Sequence, residues 1–179
     1  ILADGRVAVT PDFWIPRATL DRYHQRPYDT WQEAGALHVT EGDITDYDVV
    51  EATVAELCLD SGVIECAYDK RFAPQMALHL EGQGITMVDM PQGFQLNAAC
   101  QRLFELVRAG MLCHGRHPVL DWMASNLVVR SDLEQRVRPD KQKSAEKIDG
   151  MVALIMALAR AIVQPVEPEV SPEVGVIRW

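Results

Sequence analysis

Long apolar runs are scarce in this sequence of 179 residues. The longest candidate, Met151 to Val163, contains Arg160 and is shorter than the roughly 18–20 residues that a membrane-spanning helix needs. The first residues also lack the basic and then apolar pattern of a signal peptide. We therefore expect a protein that works without a membrane.

Cysteine is sparse as well. The four cysteines lie apart in the chain, and none of them forms a CxxC pair: Cys58, Cys66, Cys100 and Cys113. This spacing argues against a zinc site and against a disulfide framework. We expect buried free thiols in a reducing cytoplasm.

Basic residues are outnumbered. There are 17 Lys and Arg against 26 Asp and Glu, which gives a formal net charge of −9. This balance argues against a protein that coats nucleic acid through bulk electrostatics. It leaves open an enzyme that holds DNA locally, through a metal site and a few cations.

Several motifs of nucleotide and acyl chemistry are missing. The sequence has no GxxxxGK[ST] loop, no GxGxxG after a strand and no GxSxG elbow. An unrelated α/β hydrolase or transferase therefore has no support from motifs.

Segments typical of strands alternate with segments typical of helices. The order begins with a turn at Asp4-Gly5 that suggests an antiparallel hairpin, and it closes with an apolar helix from about residue 147 to Val163. The polar segment from Arg130 to Lys147 is interpreted as a loop. This pattern predicts an α/β fold, with a mixed sheet flanked by helices in one domain over residues 1–163 and an extended Pro-rich tail over 164–179.

Asp69 follows a strand-like run, Ile64 to Tyr68. The carboxyl ends of strands in open α/β sheets are where ligands collect, and a carboxylate there can bind a hard cation. The ordinary alternative is that Asp69 starts a turn or caps the next helix. For a single strand-end aspartate, that alternative is favoured.

Asp149 lies in the first turn of the most apolar helix. Aspartate is favoured there by the helix dipole alone. The next residue, Gly150, weakens a helix interior by roughly 1 kcal/mol relative to Ala, so its presence suggests close approach by a ligand or another segment. Two metals that hydrolyse a phosphodiester need converging carboxylates, and Asp69 and Asp149 could supply part of such a cluster.

A series of short blocks resembles the C-terminal nuclease domain of phage terminase large subunits. The blocks occur in the family's order from about residue 10 to residue 163, which makes the series more specific than any single block. They are Phe13-Trp14-Ile15-Pro16, Trp31 to Gly35, Leu37 to Gly42, Ala67-Tyr68-Asp69, Gln92-Gly93, Gly110 to His114, His117 to Trp122, Asn126, Lys141 and Lys147 to Gly150.

The resemblance implies an RNase H-like fold and a metal-dependent endonuclease that cuts concatemeric double-stranded DNA. It makes Asp69 and Asp149 metal ligands for Mg²⁺ or Mn²⁺, with two ions expected. The resemblance places the family's other principal aspartate on a first strand, upstream of a hairpin like Ile1 to Phe13, and this strand is expected to be missing here. The sequence also lacks an initiator Met, which suggests that an upstream part of a longer chain is absent. The resemblance further implies an upstream ATPase domain, the portal protein and small terminase subunit as partners, and the cytoplasm of the bacterial host as location.

Cations precede Asp149. Five of them fall within twelve residues of an otherwise acidic chain: Arg136, Arg138, Lys141, Lys143 and Lys147. This local reversal of sign suits contacts with phosphate, although a solvated loop explains it equally well. His114 could lie near bound DNA or the metal site, and a structural histidine is an equal alternative. A second function stays open: a catalytically incomplete module that docks on the other parts of the packaging motor.

Overall fold

The computed structural model describes residues 1–2, 4–71 and 73–163, so the tail predicted for 164–179 lies outside the described residues. The strands are β1 (Val7–Ala8), β2 (Trp14–Pro16), β3 (His38–Thr40), β4 (Cys66–Tyr68), β5 (Met87–Asp89), β6 (Leu112–Cys113), β7 (Val129–Ser131) and β8 (Val137–Pro139). The helices are α1 (Arg17–Arg22), α2 (Tyr28–Glu33), α3 (Tyr47–Asp60), α4 (Pro74–Gly82), α5 (Asn97–Arg108), α6 (Pro118–Asn126) and α7 (Asp149–Val163). Within these ranges, no helix is long and apolar enough to cross a membrane.

The strands pair two by two. β1 with β6, β2 with β3 and β4 with β5 are parallel, and β7 with β8 is antiparallel. The predicted class, α/β with both strand orientations, is confirmed. The predicted single sheet is not seen among the described residues, where the strands form four separate pairs of two or three residues per strand.

The antiparallel hairpin predicted at the start of the chain is wrong. Its turn does form, because the backbone N–H of Gly5 donates to the carbonyl of Leu2 and that of Leu2 donates to Arg6. The chain then leaves this turn and pairs in parallel with β6, with Val7 opposite Leu112. A distant partner strand therefore overrides the local hairpin signal.

The segment from 130 to 147, interpreted as a loop, contains the β7–β8 hairpin. Its turn is closed by Asp132, whose Oδ1 accepts from the backbone N–H groups of Glu134 and Arg136 at 3.1 and 2.9 Å. Gln135 takes the left-handed conformation, with φ of 60°. The strands are short and rich in cations, so the hydrophobic alternation that predicts strands is absent.

Helix α7 occupies the centre of the fold. It packs against α5, α6 and β4, and six of its side chains are buried: Met151, Val152, Leu154, Ile155, Met156 and Leu158. Apolar residues on nearly all sides of a helix require partners on nearly all sides. The position of α7 therefore fixes where its first residue, Asp149, lies.

Helix α3 lies in a smaller cluster with α4. Asp46 caps it, since its Oδ1 accepts from the backbone N–H of Asp48 at 3.0 Å. Val49 and Leu57 of this helix are exposed. Among the described residues, α3 packs mainly against α4 and nearby strand residues, through a narrow stripe that includes Ala55.

Gly150 leaves room for Phe13 and Met123. A Cβ at this position would lie 2.5 Å from Cε1 of Phe13 and 3.0 Å from Sδ of Met123. The backbone N–H of Gly150 also donates to that sulfur at 3.1 Å. The close approach predicted for this glycine is therefore made by two side chains of the chain itself.

We predict that Gly150→Ala lowers the free energy of unfolding by about 1–3 kcal/mol, because the added methyl overpacks the Phe13 ring. Gly82→Ala is the matched control: nothing lies within 4 Å of its Cβ position, and its φ is not positive. This control should be neutral or stabilising by up to about 1 kcal/mol. Urea unfolding of both variants checks the contrast, and equal effects would contradict the packing role of Gly150.

Candidate active site

Asp69 lies directly after β4 and is 9% exposed. β4 runs parallel to β5, with Tyr68 opposite Asp89, so the end of β4 is a parallel-strand edge as expected from the sequence. The ordinary role weighed for Asp69 is also present. Its Oδ1 accepts from the backbone N–H of Arg71 at 3.0 Å, which starts the turn toward α4.

The guanidinium of Arg71 holds the Asp69 carboxylate at two points. Its Nη2 donates to Oδ2 at 2.6 Å and its Nε donates to Oδ1 at 3.0 Å. These side-chain hydrogen bonds hold the pKa of Asp69 below its ordinary value, although burial of the carboxyl acts in the opposite direction. The carboxylate is thus ionised and paired at neutral pH.

Asp149 is the first residue of α7, and its side chain is 61% exposed. Its Oδ1 accepts from Nζ of Lys141 at 2.8 Å. The loop between these two residues is held on its other side by Glu146, whose carboxylate accepts from Nη2 of Arg26 at 2.6 Å. The helix start and its preceding loop are therefore fixed by two ion pairs.

Lys141 connects the two aspartates. It contacts Asp149 directly, and its positive charge also lowers the pKa of Asp69. Its ammonium group is therefore the direct partner of Asp149, and its effect on Asp69 is the smallest of the causes that act on that carboxyl.

A cavity of about 360 Å³ is lined by four cationic side chains, one of which is that of Lys141. They are Arg71, Arg130, Arg138 and Lys141. We call this cavity the cationic pocket. Asp140 also lines it, but the Asp140 carboxylate is turned to its own loop, where Oδ1 accepts from the backbone N–H of Gln142 at 3.1 Å.

The predicted cations fall into separate surroundings. Arg138 and Lys141 line the cationic pocket, whereas Arg136 is paired with Asp132 at 2.7 Å. Lys147 lines a second, mainly apolar cavity of about 270 Å³ together with Asp149. Lys143 is exposed on the surface of the loop.

His114 lies away from these contacts. Its Nδ1 is 3.7 Å from a carboxylate oxygen of Asp121 and has no hydrogen-bond partner among the described residues. Its neighbour His117 contacts the ring of Phe13, and burial lowers the pKa of His117. The described contacts of His114 include neither Asp69 nor Asp149.

Sequence reasoning missed Arg71, Arg130 and Asp89. Asp89 ends β5 beside Asp69, its Oδ2 pairs with Lys70 at 2.8 Å, and its Oδ1 is buried without a hydrogen-bond partner among the described residues. The strand-end rule that singled out Asp69 could have found Asp89. Arg130 carried no signal, because its hairpin was interpreted as a loop.

The donor chemistry of Asp69 and Asp149 fits a hard divalent cation, which prefers carboxylate oxygens. Both carboxylates hold a positive group, Arg71 at Asp69 and Lys141 at Asp149. Over residues 1–2, 4–71 and 73–163, no group of three or more His, Cys, Asp and Glu side chains is placed to hold a metal. The described residues therefore do not contain a full set of side-chain ligands for a metal ion.

Comparison with solved structures identifies the fold. The chain is similar to the large terminase of bacteriophage HK97, with a TM-score of 0.81 and 35% identity over 89% of this chain and 34% of that one. It is also similar in fold to the large terminase nuclease of thermophilic phage G20c, with a TM-score of 0.51 and 15% identity over 68% of this chain and 64% of that one. The fold is therefore that of a terminase nuclease.

Sequence comparison shows the family. Residues 4–164 match the family model described as the terminase large subunit, endonuclease domain. The chain is 35% identical to the large terminase subunit of Enterobacteria phage HK97 over 88% of its length, and 28% identical to protein YmfN of Escherichia coli K12 over 96%. The chain belongs to the terminase large-subunit endonuclease family. It spans 32% and 40% of the lengths of these two relatives.

We predict that Arg71→Gln raises the pKa of Asp69, because the guanidinium contacts that lower it are lost while burial still raises it. The backbone N–H of residue 71 and the charge of Lys141 remain and limit the rise. A depressed folded-state pKa contributes stability above the unfolded-state pKa, and this stability is lost as pH falls through the folded-state pKa. The unfolding free energy of the unsubstituted protein should therefore fall more steeply below about pH 4 than that of the variant.

A ¹³C NMR titration of the Asp69 carboxyl carbon measures this pKa. Arg102→Gln, which removes a surface ion pair with Glu105, should leave it unchanged. An unchanged pKa in Arg71→Gln would show that the Arg71 contacts do not hold the carboxylate in solution.

Proposed function

We propose that this chain is a metal-dependent endonuclease that cuts concatemeric double-stranded viral DNA by two-metal phosphodiester hydrolysis. Asp69 and Asp149 would hold Mg²⁺ or Mn²⁺. The observation that carries the proposal is geometric: Arg71, which holds Asp69, and Lys141, which holds Asp149, line the same cavity.

Both aspartates are mounted on core elements. Asp69 follows a strand held by its neighbour β5, and Asp149 begins the buried helix α7. Bound metal would activate water and stabilise the leaving oxygen. For these oxygens to become metal ligands, Arg71 and Lys141 must give up contacts, and both can move because their side chains are 62% and 42% exposed.

Other roles follow from the family. The fold is proposed to be RNase H-like, with a further aspartate on an upstream strand, and the domain is proposed to span residues 1–163. The cations between Arg136 and Lys147, together with His114, would help position the DNA backbone. We also propose an ATPase domain upstream in the full protein, and the portal protein and small terminase subunit as its partners. The proposed location is the cytoplasm of the bacterial host.

A second function has one observation in its favour. Among the described residues, no group of three or more His, Cys, Asp and Glu side chains is placed to hold a metal ion. A chain with an incomplete ligand set could serve the packaging motor as a docking module that does not cut DNA.

A plasmid assay separates these functions. We predict that supercoiled plasmid with Mn²⁺ is cut by the longer polypeptide that carries the upstream strand, and more weakly or not at all by residues 1–179 alone. Asp69→Asn and Asp149→Asn should each reduce the cutting rate at least about 100-fold. Substitutions of residues that only support the metal ligands can already cost roughly 100-fold, and loss of a ligand should cost no less.

The control for this assay is Arg22→Gln, which removes an exposed cation of α1 and should leave the cutting rate unchanged. Circular dichroism of each variant establishes that the domain is folded. If the longer polypeptide leaves the plasmid intact, the nuclease proposal fails and the docking function stands.

A further inference from the structure

Arg130 and Arg138 lie directly opposite each other on the β7–β8 hairpin. Directly opposed residues of an antiparallel pair project from the same face, where like charges destabilise the pair. Neither arginine has an acidic partner among the described residues. The contacts described for these guanidinium groups are both made by Arg138: its ring contact with Phe94, at 5.2 Å from the centroid, and a long hydrogen bond of 3.5 Å from Nη1 to the carbonyl of Pro139.

The third arginine of this hairpin has acidic partners. Arg136 is paired with both Asp132 and Glu134. Acidic residues outnumber basic ones in this chain, yet an arginine and not an acid lies opposite Arg130. The two unpaired arginines are therefore a local exception in an acidic protein.

Arg130 and Arg138 face the cationic pocket, where Arg71 and Lys141 join them. Four cations thus meet one carboxylate in the lining, that of Asp140, which is 6% exposed and bonded to its own loop. The amides of Gln92 and Gln142 add neutral polar groups to the lining. At about 360 Å³, the cavity is within the range of small-ligand sites.

We infer that the cationic pocket is a binding subsite for a phosphate group, with Arg130 and Arg138 as its principal ligands. A guanidinium group matches phosphate oxygens with two parallel hydrogen bonds, and an anion between the two arginines converts their repulsion into attraction. The inference rests on the proposed function for its source of phosphate, which is the DNA backbone. A free phosphate ion has the same chemistry and is the other source to test.

The position of the pocket connects the subsite to the carboxylates. Arg71 contacts Asp69 and Lys141 contacts Asp149, and both cations also line the pocket. A phosphate bound by the hairpin arginines would therefore lie next to the residues proposed to hold metal, so that the subsite would anchor the strand beside the cleavage point.

The test uses the double variant Arg130→Gln/Arg138→Gln, because these two residues do not contact the proposed metal ligands. Affinity for a fluorescein-labelled DNA duplex is measured by anisotropy without metal at several salt concentrations. We expect the dissociation constant to rise at least about tenfold and the salt slope to fall by about 1 for each lost phosphate contact.

The matched control is Arg22→Gln/Arg108→Gln, which removes two exposed arginines that also lack an acidic partner among the described residues. It should change the dissociation constant by less than about twofold if the pocket, rather than total charge, binds DNA. An equal loss in both double variants would overturn the subsite. The hairpin variant should also unfold at the same temperature as the unsubstituted protein or a higher one, because a repulsion is removed. A clearly lower unfolding temperature would show that the arginines are structural.

Inorganic phosphate is the second probe. Its titration should shift the Arg130 and Arg138 Nε–H signals in NMR spectra of the unsubstituted protein if free phosphate is the source. Unchanged DNA affinity in the hairpin variant, together with no phosphate-dependent shift, would overturn the subsite entirely. The plasmid assay separates the subsite from the nuclease proposal. If the hairpin variant cuts DNA at an unchanged rate, the subsite is refuted and the nuclease proposal stands. If DNA binding depends on the pocket but no DNA is cut, the nuclease proposal is refuted and the subsite stands.

Discussion

Burial of α7 is the constraint on which the rest of the structure depends. Its apolar side chains, among them Val152 and Ile155, can leave water only if α5, α6 and β4 surround the helix. Each fully buried aliphatic side chain of this kind contributes about 1.5–3 kcal/mol. The helix therefore cannot shift without losing several such contributions, and the position of its first residue, Asp149, is fixed with it.

Ion pairs hold the carboxylates of Asp69 and Asp149 in position. Asp69 is almost buried and needs compensation, which Arg71 supplies, while Asp149 is exposed and holds Lys141. In a chain with a net charge of −9, cations are concentrated where two core elements end. Because the side chains of Arg71 and Lys141 are exposed, each can leave its carboxylate when another positive group binds there.

Much of the local structure could be predicted from the sequence. Asp46 caps α3, Asp69 ends a strand, and the long apolar segment forms the central helix, because caps and apolar patterns act over a few residues. The parallel pairing of β1 with β6 could not be predicted, since its two strands are about a hundred residues apart and only two residues long. The four separate strand pairs likewise reflect long-range pairing rather than local propensity.

The site was predictable only in part. The two aspartates are proposed as a pair because the family resemblance joins them. Alone, each has an ordinary explanation that the structure also displays, a turn for Asp69 and a helix start for Asp149. Arg71 and Arg130 were missed because their importance comes from the cavity that they share with residues distant in sequence. The requirement for glycine at position 150 was noticed, whereas its cause, the ring of Phe13, needed the fold.

The central claim is that Asp69 and Asp149 belong to one metal site. Anomalous X-ray scattering from crystals of the longer polypeptide soaked in Mn²⁺ tests it most directly. The account predicts a manganese peak with an oxygen of each aspartate at about 2.0–2.6 Å from a metal ion, and with any two ions about 3.5–4 Å apart. Manganese bound elsewhere, with Asp69 still held by Arg71 and Asp149 by Lys141, would contradict it.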